Sequence, residues 1–317
     1  MNLLGIVASG IAIALLAAGP ARALDVEAAV AALEALRARY TADPSALPTG
    51  FETRHTAWQT ASRHLVLAGG RTPDEEDPYV MTHPLFLFRW ADGSLLVADA
   101  GLAPDGARSF GRPMEFLGAD AMVCGEGAFE GIDPSAVRAT VFSHLHVDHI
   151  QGLGVLCADG DRIPIRLSPE QDASDERFEA AGRSELATMA ESGCVRNEAF
   201  GLRDEATLAP ALAGLPGIHR VAVPGHTPGS QLIVGFVRGV GAVPRAIIIA
   251  GDVVNHRAGF RHDRPKPWLY RRLVVREVDA LQAENRALLA RLDAAGFEIQ
   301  ADHHVPIPEG TKSTDCP

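Results

Sequence analysis

Apolar residues between Val26 and Tyr40 recur at helical spacing among Ala, Leu and Arg, which predicts a surface helix. Residues 51–68 read as an extended segment ending at Gly69-Gly70, and the polar, Pro-broken run 71–78 reads as a loop. Two apolar runs, Leu85–Trp90 and Leu95–Gly101, flank Asp92-Gly93 and predict a hairpin. Asp133-Pro134 has the form of a short helix start, and Ala139–Phe142 is an apolar, β-branched strand. Ile163–Leu167 is a further strand candidate, followed by one long charged helical stretch over 168–191. Val221–Val223 and Leu232–Phe236 read as strands around a Gly/Pro turn, and Ala246–Ala250 is the most apolar strand, ending in Gly251-Asp252. A helix is expected over Val275–Ala295, closed at Gly296, then a last strand Phe297–Gln300 and a loose tail through Pro317. Consecutive early strands followed by strand-helix alternation suit an α/β protein built as a four-layer αββα sandwich, two sheets with helices outside.

The chain start changes the picture. Leu3–Ala18 is an apolar run broken only by Gly and Ser, and Ala21-Arg22-Ala23 has the small-x-small form of a signal-peptidase site. Residues 1–23 are therefore expected to be a signal peptide, although the leading Met1-Asn2 brings no basic side chain; a retained anchor is the alternative. The run is shorter than the roughly 20 residues of a membrane span, so no stable membrane insertion is expected after cleavage. Residues 24–317 then form a single exported domain, periplasmic or secreted, since no linker or composition break divides them. The net charge of −11 argues against a nucleic-acid partner, which would need a basic face, and leaves a small-molecule substrate. None of the four cysteines sits in a metal-binding array. Cys157 and Cys194 flank one segment and are a candidate bridge, with buried free thiols as the alternative.

Three of these strands run into metal-ligand residue types. After Ala139–Phe142 comes Ser143-His144-Leu145-His146-Val147-Asp148-His149. On extended backbone His144 and His146 point the same way and can share one cation, while Asp148 and His149, where the chain bends, can face a second. Imidazole nitrogen and carboxylate oxygen suit zinc, iron or manganese. Pro224-Gly225-His226-Thr227-Pro228-Gly229-Ser230 puts a histidine in a tight turn, and Asp252 stands at a strand end where its two oxygens can bridge two cations. His303 and His304 follow the last strand. The other histidines (His55, His64, His83, His219, His256, His262) read as surface or packed, with His83 and His256 in loops expected at the rim of the site.

The ordered set HxHxDH, PGHTPGS, strand-GD and a histidine after a final strand resembles the metallo-β-lactamase superfamily over residues 99–304. The resemblance implies that His144, His146 and His226 hold a first metal, that Asp148, His149 and a C-terminal histidine hold a second, and that Asp252 bridges. It also implies that Asp99 supports the ligand loop from behind. A two-residue spacer, Ala301-Asp302, favours His303 as the last ligand, leaving His304 or His256 as an alternative ligand or proton donor. Two divalent cations, zinc first and Fe or Mn otherwise, would share a water and make hydroxide available near neutral pH, with Asp148 catalytic in orienting it and taking its proton. The expected enzyme is thus a dinuclear metal-dependent hydrolase of a lactone, ester or related acyl or phosphoryl substrate. A β-lactamase-like amide hydrolase and a mononuclear iron redox enzyme of the persulfide dioxygenase kind are the alternatives. Asp rather than Cys or Ser at position 252 departs from zinc β-lactamases, and no Tyr follows it closely as in quorum-quenching lactonases. Lys266–Arg272 reads as a surface loop with one packed Trp or, alternatively, as the lining of an apolar and cationic pocket for an aryl or acidic substrate.

Overall fold

The computed structural model describes residues 24–61, 79–157, 162–204, 206–241, 243–268 and 270–317. The expected signal peptide, the loop 71–78 and His64 lie outside the described residues. Strands β1 (Gly50–Ala61), β2 (Tyr79–Arg89), β3 (Leu95–Ala100), β4 (Val123–Gly125), β5 (Val137–Val141), β6 (Ile163–Ile165) and β7 (Val195–Asn197) belong to a first sheet. Strands β8 (Leu202–Arg203), β9 (Ala211–Leu212), β10 (Ile218–Ala222), β11 (Gln231–Val237), β12 (Arg245–Ile249) and β13 (Glu298–Gln300) form a second, and β14 (Ser313–Asp315) returns to the first. The orders are β14-β4-β1-β2-β3-β5-β6-β7 and β13-β12-β11-β10-β9-β8.

Side-chain alternation explains why the central strands are apolar on both faces. Phe86, Phe88, Leu96 and Ala98 meet Ile218, Ile233, Ile247 and Ile249 between the sheets. Their neighbours Leu85, Leu87, Leu95 and Val97 point outward onto Leu153, Leu156 and Leu186. On the far side Val234, Phe236 and Ile248 pack under Val30, Leu33, Leu288 and Leu292. Each sheet is thus covered twice, which is the four-layer αββα arrangement. The helices are α1 (Val26–Ala42), α2 (Pro104–Phe116), α3 (Leu153–Leu156), α4 (Pro169–Ala173), α5 (Arg177–Glu191), α6 (Arg257–Arg261) and α7 (Asp279–Ala294).

Four expectations need correction. The stretch 168–191 is two helices: Ser168 caps α4 through a capping box with Gln171, and Glu176 caps α5 by accepting from the Phe178 and Glu179 amides. The last helix starts at Asp279 rather than Val275, after a π-turn at Tyr270–Val274. The tail is not loose: β14 pairs with β4, and Cys316 is bonded to Cys124. Helix α2 was not expected, because Gly106, Gly111 and Pro113 lower its helix propensity. Packing overrides that: a side chain at Gly111 would come within 2.9 Å of Met122 Cβ. The second disulfide joins Cys157 and Cys194, the pair that the sequence suggested.

Candidate metal centre

The strand ends of both sheets meet at one edge of the sandwich. Gln231 ties them: its amide donates to Ser143 O at 2.8 Å and its side chain to Phe142 O at 2.7 Å. This brings the end of β5 beside the β10–β11 turn that carries His226. Gly251, at the end of β12, has φ +52°, and a Cβ there would lie 2.5 Å from Ser143 Oγ. Only glycine meets both demands, so Asp252 can follow directly beside His144.

Donor atoms of His144, His146, His226 and Asp252 all lie within 4.8 Å of one another. Those of His149, Asp252 and His303 form a second such group. Asp252 faces both groups: Oδ2 is 3.4 Å from His226 Nε2, while Oδ1 is 3.5 Å from His149 Nε2 and 3.0 Å from His303 Nε2. Asp148 Oδ2 stands 3.8 Å from His149 Nε2 and 3.6 Å from His303 Nε2. All seven side chains are buried.

The imidazoles are held from behind. His149 Nδ1 is 3.2 Å from Asp99 Oδ2 and 3.4 Å from Asp302 Oδ2, and Asp99 Oδ1 also accepts the Ser143 amide at 2.7 Å. His226 Nδ1 meets Glu277 Oε1 at 2.7 Å, and His303 Nδ1 donates to Thr82 O at 3.0 Å. Such acceptors make Nδ1 the protonated nitrogen and turn Nε2 inward. Nε2 of His144, His146, His149 and His226, and Oδ1 of Asp252, are buried without a hydrogen bond. Buried polar atoms left so are costly unless something binds them, and converging nitrogens and carboxylate oxygens fit divalent cations.

Electrostatics agree. Burial holds His144 well below its ordinary value, and burial with the Lys266 charge brings His226 to about 4, so both are neutral, the ligand form. Burial opposes ionisation of Asp252 and Asp148, but the neighbouring His303 and His149 charges hold both below the carboxylate range. Burial opposes charge on His149 and His303 too, yet Asp148 and Asp252 respectively push them up. Asp302 is raised to about 8 by burial, with Asp99 beside it adding to the rise. Asp148 and Asp252 thus keep their negative charge by drawing positive charge onto His149 and His303.

Several contributors were not anticipated. Asp302, read as spacer, is fully buried against His149. Glu277 joins His226 to a buried Lys266, whose Nζ is 2.8 Å from Glu277 Oε1. Lys266 is thus consumed internally and is no pocket cation, Trp268 is 61% exposed rather than packed, and of the described residues in Lys266–Arg272 Tyr270 alone lines the cleft. His83 lies on β2, not in a loop, and is buried 3.3 Å from Asp148. His304 is not in either donor group; its ring lies 3.6 Å from that of His256, and His256 Nδ1 caps α6 by accepting the Ala258 amide. A cleft opens onto His146, Asp148, Asp252 and His303, with walls of Met81, Phe110, Met114, Phe178, Tyr270 and Val275 and, among the described residues, no Lys or Arg.

The family model described as the metallo-beta-lactamase superfamily matches residues 80–290. Among solved structures, an N-acyl homoserine lactone hydrolase with N-hexanoyl-L-homoserine bound at its catalytic metal center is 16% identical. It has a TM-score of 0.51 over 80% of this chain and 92% of that one. A dizinc quorum-quenching lactonase in complex with its product is 13% identical with a TM-score of 0.50, covering 83% of this chain and 90% of its own. A probable metal-dependent hydrolase from Staphylococcus aureus is 12% identical with a TM-score of 0.51, covering 82% and 90%. No curated protein matches the sequence. At such identities these likenesses speak to the fold.

Proposed function

This chain belongs to the metallo-β-lactamase superfamily, and from that premise we propose that it is a two-cation hydrolase of neutral lactones or esters bearing an apolar chain or ring. The cleft carries the reading: its apolar walls suit a hydrocarbon group, and its floor is His146, Asp148, Asp252 and His303 of the donor set. Divalent cations bound there would supply a Lewis acid for the carbonyl oxygen and a water of lowered pKa. His144, His146 and His226 would hold the first, Asp148, His149 and His303 the second, with Asp252 between them. Zinc suits these donors, as do Fe and Mn. Asp148, ionised and at the cleft floor, orients the attacking water and accepts its proton. Tyr270 lines the same cleft, and burial with the Asp252 charge keeps its hydroxyl protonated, so it can donate to the leaving alkoxide.

Elemental analysis of metal-replete protein, followed by a panel of lactones, aryl esters, phosphotriesters, β-lactams and persulfides, tests this. Two ions per chain and turnover of a neutral ester or lactone are expected. Preference for a β-lactam, or oxygen-dependent persulfide consumption, would overturn it. We also propose that the protein is exported, because all four cysteines pair and disulfides persist in oxidising compartments. Sequencing the native N-terminus should find Leu24; a soluble pool that keeps Met1 would refute export.

A further inference from the structure

His83 is fully buried on β2, between the rings of Phe110 and His303, which lie edge-on at 5.1 and 5.0 Å. Its Nδ1 is 3.3 Å from Asp148 Oδ2, in contact but misaligned, so both ring nitrogens are buried without a hydrogen bond. Such a side chain is expensive to bury unless it binds something. Donor atoms of His83, Asp148 and His303 lie within 4.8 Å of one another, a third converging group that shares His303 with the group of His149 and Asp252. The backbone at this point is pinned on both sides. Thr56 Oγ1 donates to His83 O at 2.8 Å and accepts the Leu102 amide at 2.9 Å. Next door, Thr82 accepts His303 Nδ1 on its carbonyl and donates its hydroxyl to Asp302 O at 2.8 Å. The imidazole is therefore preorganised against Asp148 and His303 by β2 itself.

We propose that His83 is a further protein ligand of the second cation, which is then held by donors from His83, Asp148, His149, Asp252 and His303. The inference rests on the two-cation reading above. With His83 the second position gains a neutral nitrogen donor on the side of Asp148, so the ion can sit close to both carboxylates. The richer donor set makes this position strong in its own right.

The test is a zinc and cobalt(II) titration of chelator-stripped full-length protein against a competing chromophoric chelator, for wild type, His83→Phe and His83→Gln. Phe keeps a ring between Phe110 and His303, and Gln keeps a polar donor. Expected is a second-ion affinity at least about tenfold weaker in His83→Phe, the scale on which metal-site support is lost, with partial recovery in His83→Gln and the first ion unchanged. The metal-free melting temperatures should agree within a few degrees, while the metal-loaded ones diverge, since the ion stabilises only the form that binds it. The cobalt absorption of the second site should also change as its nitrogen count falls. Two ions bound with equal affinity and equal cobalt spectra in all three proteins would overturn the His83 assignment and leave the two-cation reading standing. A wild type that takes up only one ion would overturn both.

Discussion

Aspartates do three different jobs within a few ångströms here, and their surroundings separate them. Asp252 touches donors on both sides, Asp148 reaches the cleft, and Asp99 stands behind them against the Ser143 amide, His149 Nδ1 and Asp302. Asp148→Asn removes the negative charge that would take a proton from water, while His144, His146 and His226 are untouched. Turnover on the substrate found by the panel should fall about 10²–10⁴-fold with the first cation retained. Asp99→Asn should cost less, about 10–100-fold, since it acts through His149. Equal losses in the two variants, or near-normal turnover in Asp148→Asn, would show the roles misassigned. Glu277 is a stability residue as well as a prop for His226. Burial would raise it, but the Lys266 charge dominates and it sits at about 2 against an ordinary 4.5. A carboxylate depressed on folding stabilises fully above its unfolded value, and that contribution is lost as pH falls from 4.5 towards 2. Glu277→Gln leaves Lys266 buried without its carboxylate, a loss of about 3–5 kcal/mol at pH 7. The melting-temperature gap between metal-free wild type and variant should narrow below pH 4.5; a gap independent of pH would assign the loss to packing.

At the level of elements, the strands that cross the core were legible because their apolar runs are unambiguous: β3, β5, β11 and β12 fall where the pattern put them. Elements whose reasons are tertiary were not. Helix α2 contains Gly106, Gly111 and Pro113 and exists because its small residues let it lie against Met122. β4 and β14 are three residues each, too short for any periodicity; β4 is a strand because it pairs with β1 and β14, and β14 because it pairs with β4. The disulfide between Cys124 and Cys316 closes that pair across a separation of 192 residues. Cross-linking so distant a pair restricts the unfolded chain, so Cys316→Ser should lower stability by about 2–4 kcal/mol and release β14 from the sheet edge. Thermal melts with and without reductant check this: reductant should lower the wild-type midpoint, and Cys316→Ser should reproduce part of that drop. An unchanged midpoint in Cys316→Ser would mean that β14 is held by its backbone pairing alone.

The molecule as a whole divides its charge and its oil. The residues that cluster at the site were readable in the sequence because candidate donors come in dense local motifs, HxHxDH above all. Its supports were not, because Thr82, His83, Glu277 and Lys266 reach the centre from residues distant in the chain and carry no spacing signal. The role of the Lys266–Arg272 segment stayed open for the same reason: Lys266 offered a substrate cation on paper and is instead neutralised by Glu277. With that cation internal, the cleft walls offer Met81, Phe110, Met114, Phe178 and Val275 and, among the described residues, no positive side chain, on a protein of net charge −11. Binding strength in such a cleft should come from hydrocarbon burial, about 0.8 kcal/mol per methylene, which is close to fourfold in kcat/KM for each added carbon. A series of neutral esters or lactones with lengthening acyl chains should show that rise until the cleft is filled. The same series ending in a carboxylate should be poorer at every length, because the charge would be desolvated against apolar walls with no partner. A flat response to chain length, or a preference for the carboxylates, would count against the apolar substrate class while leaving the metal centre untouched.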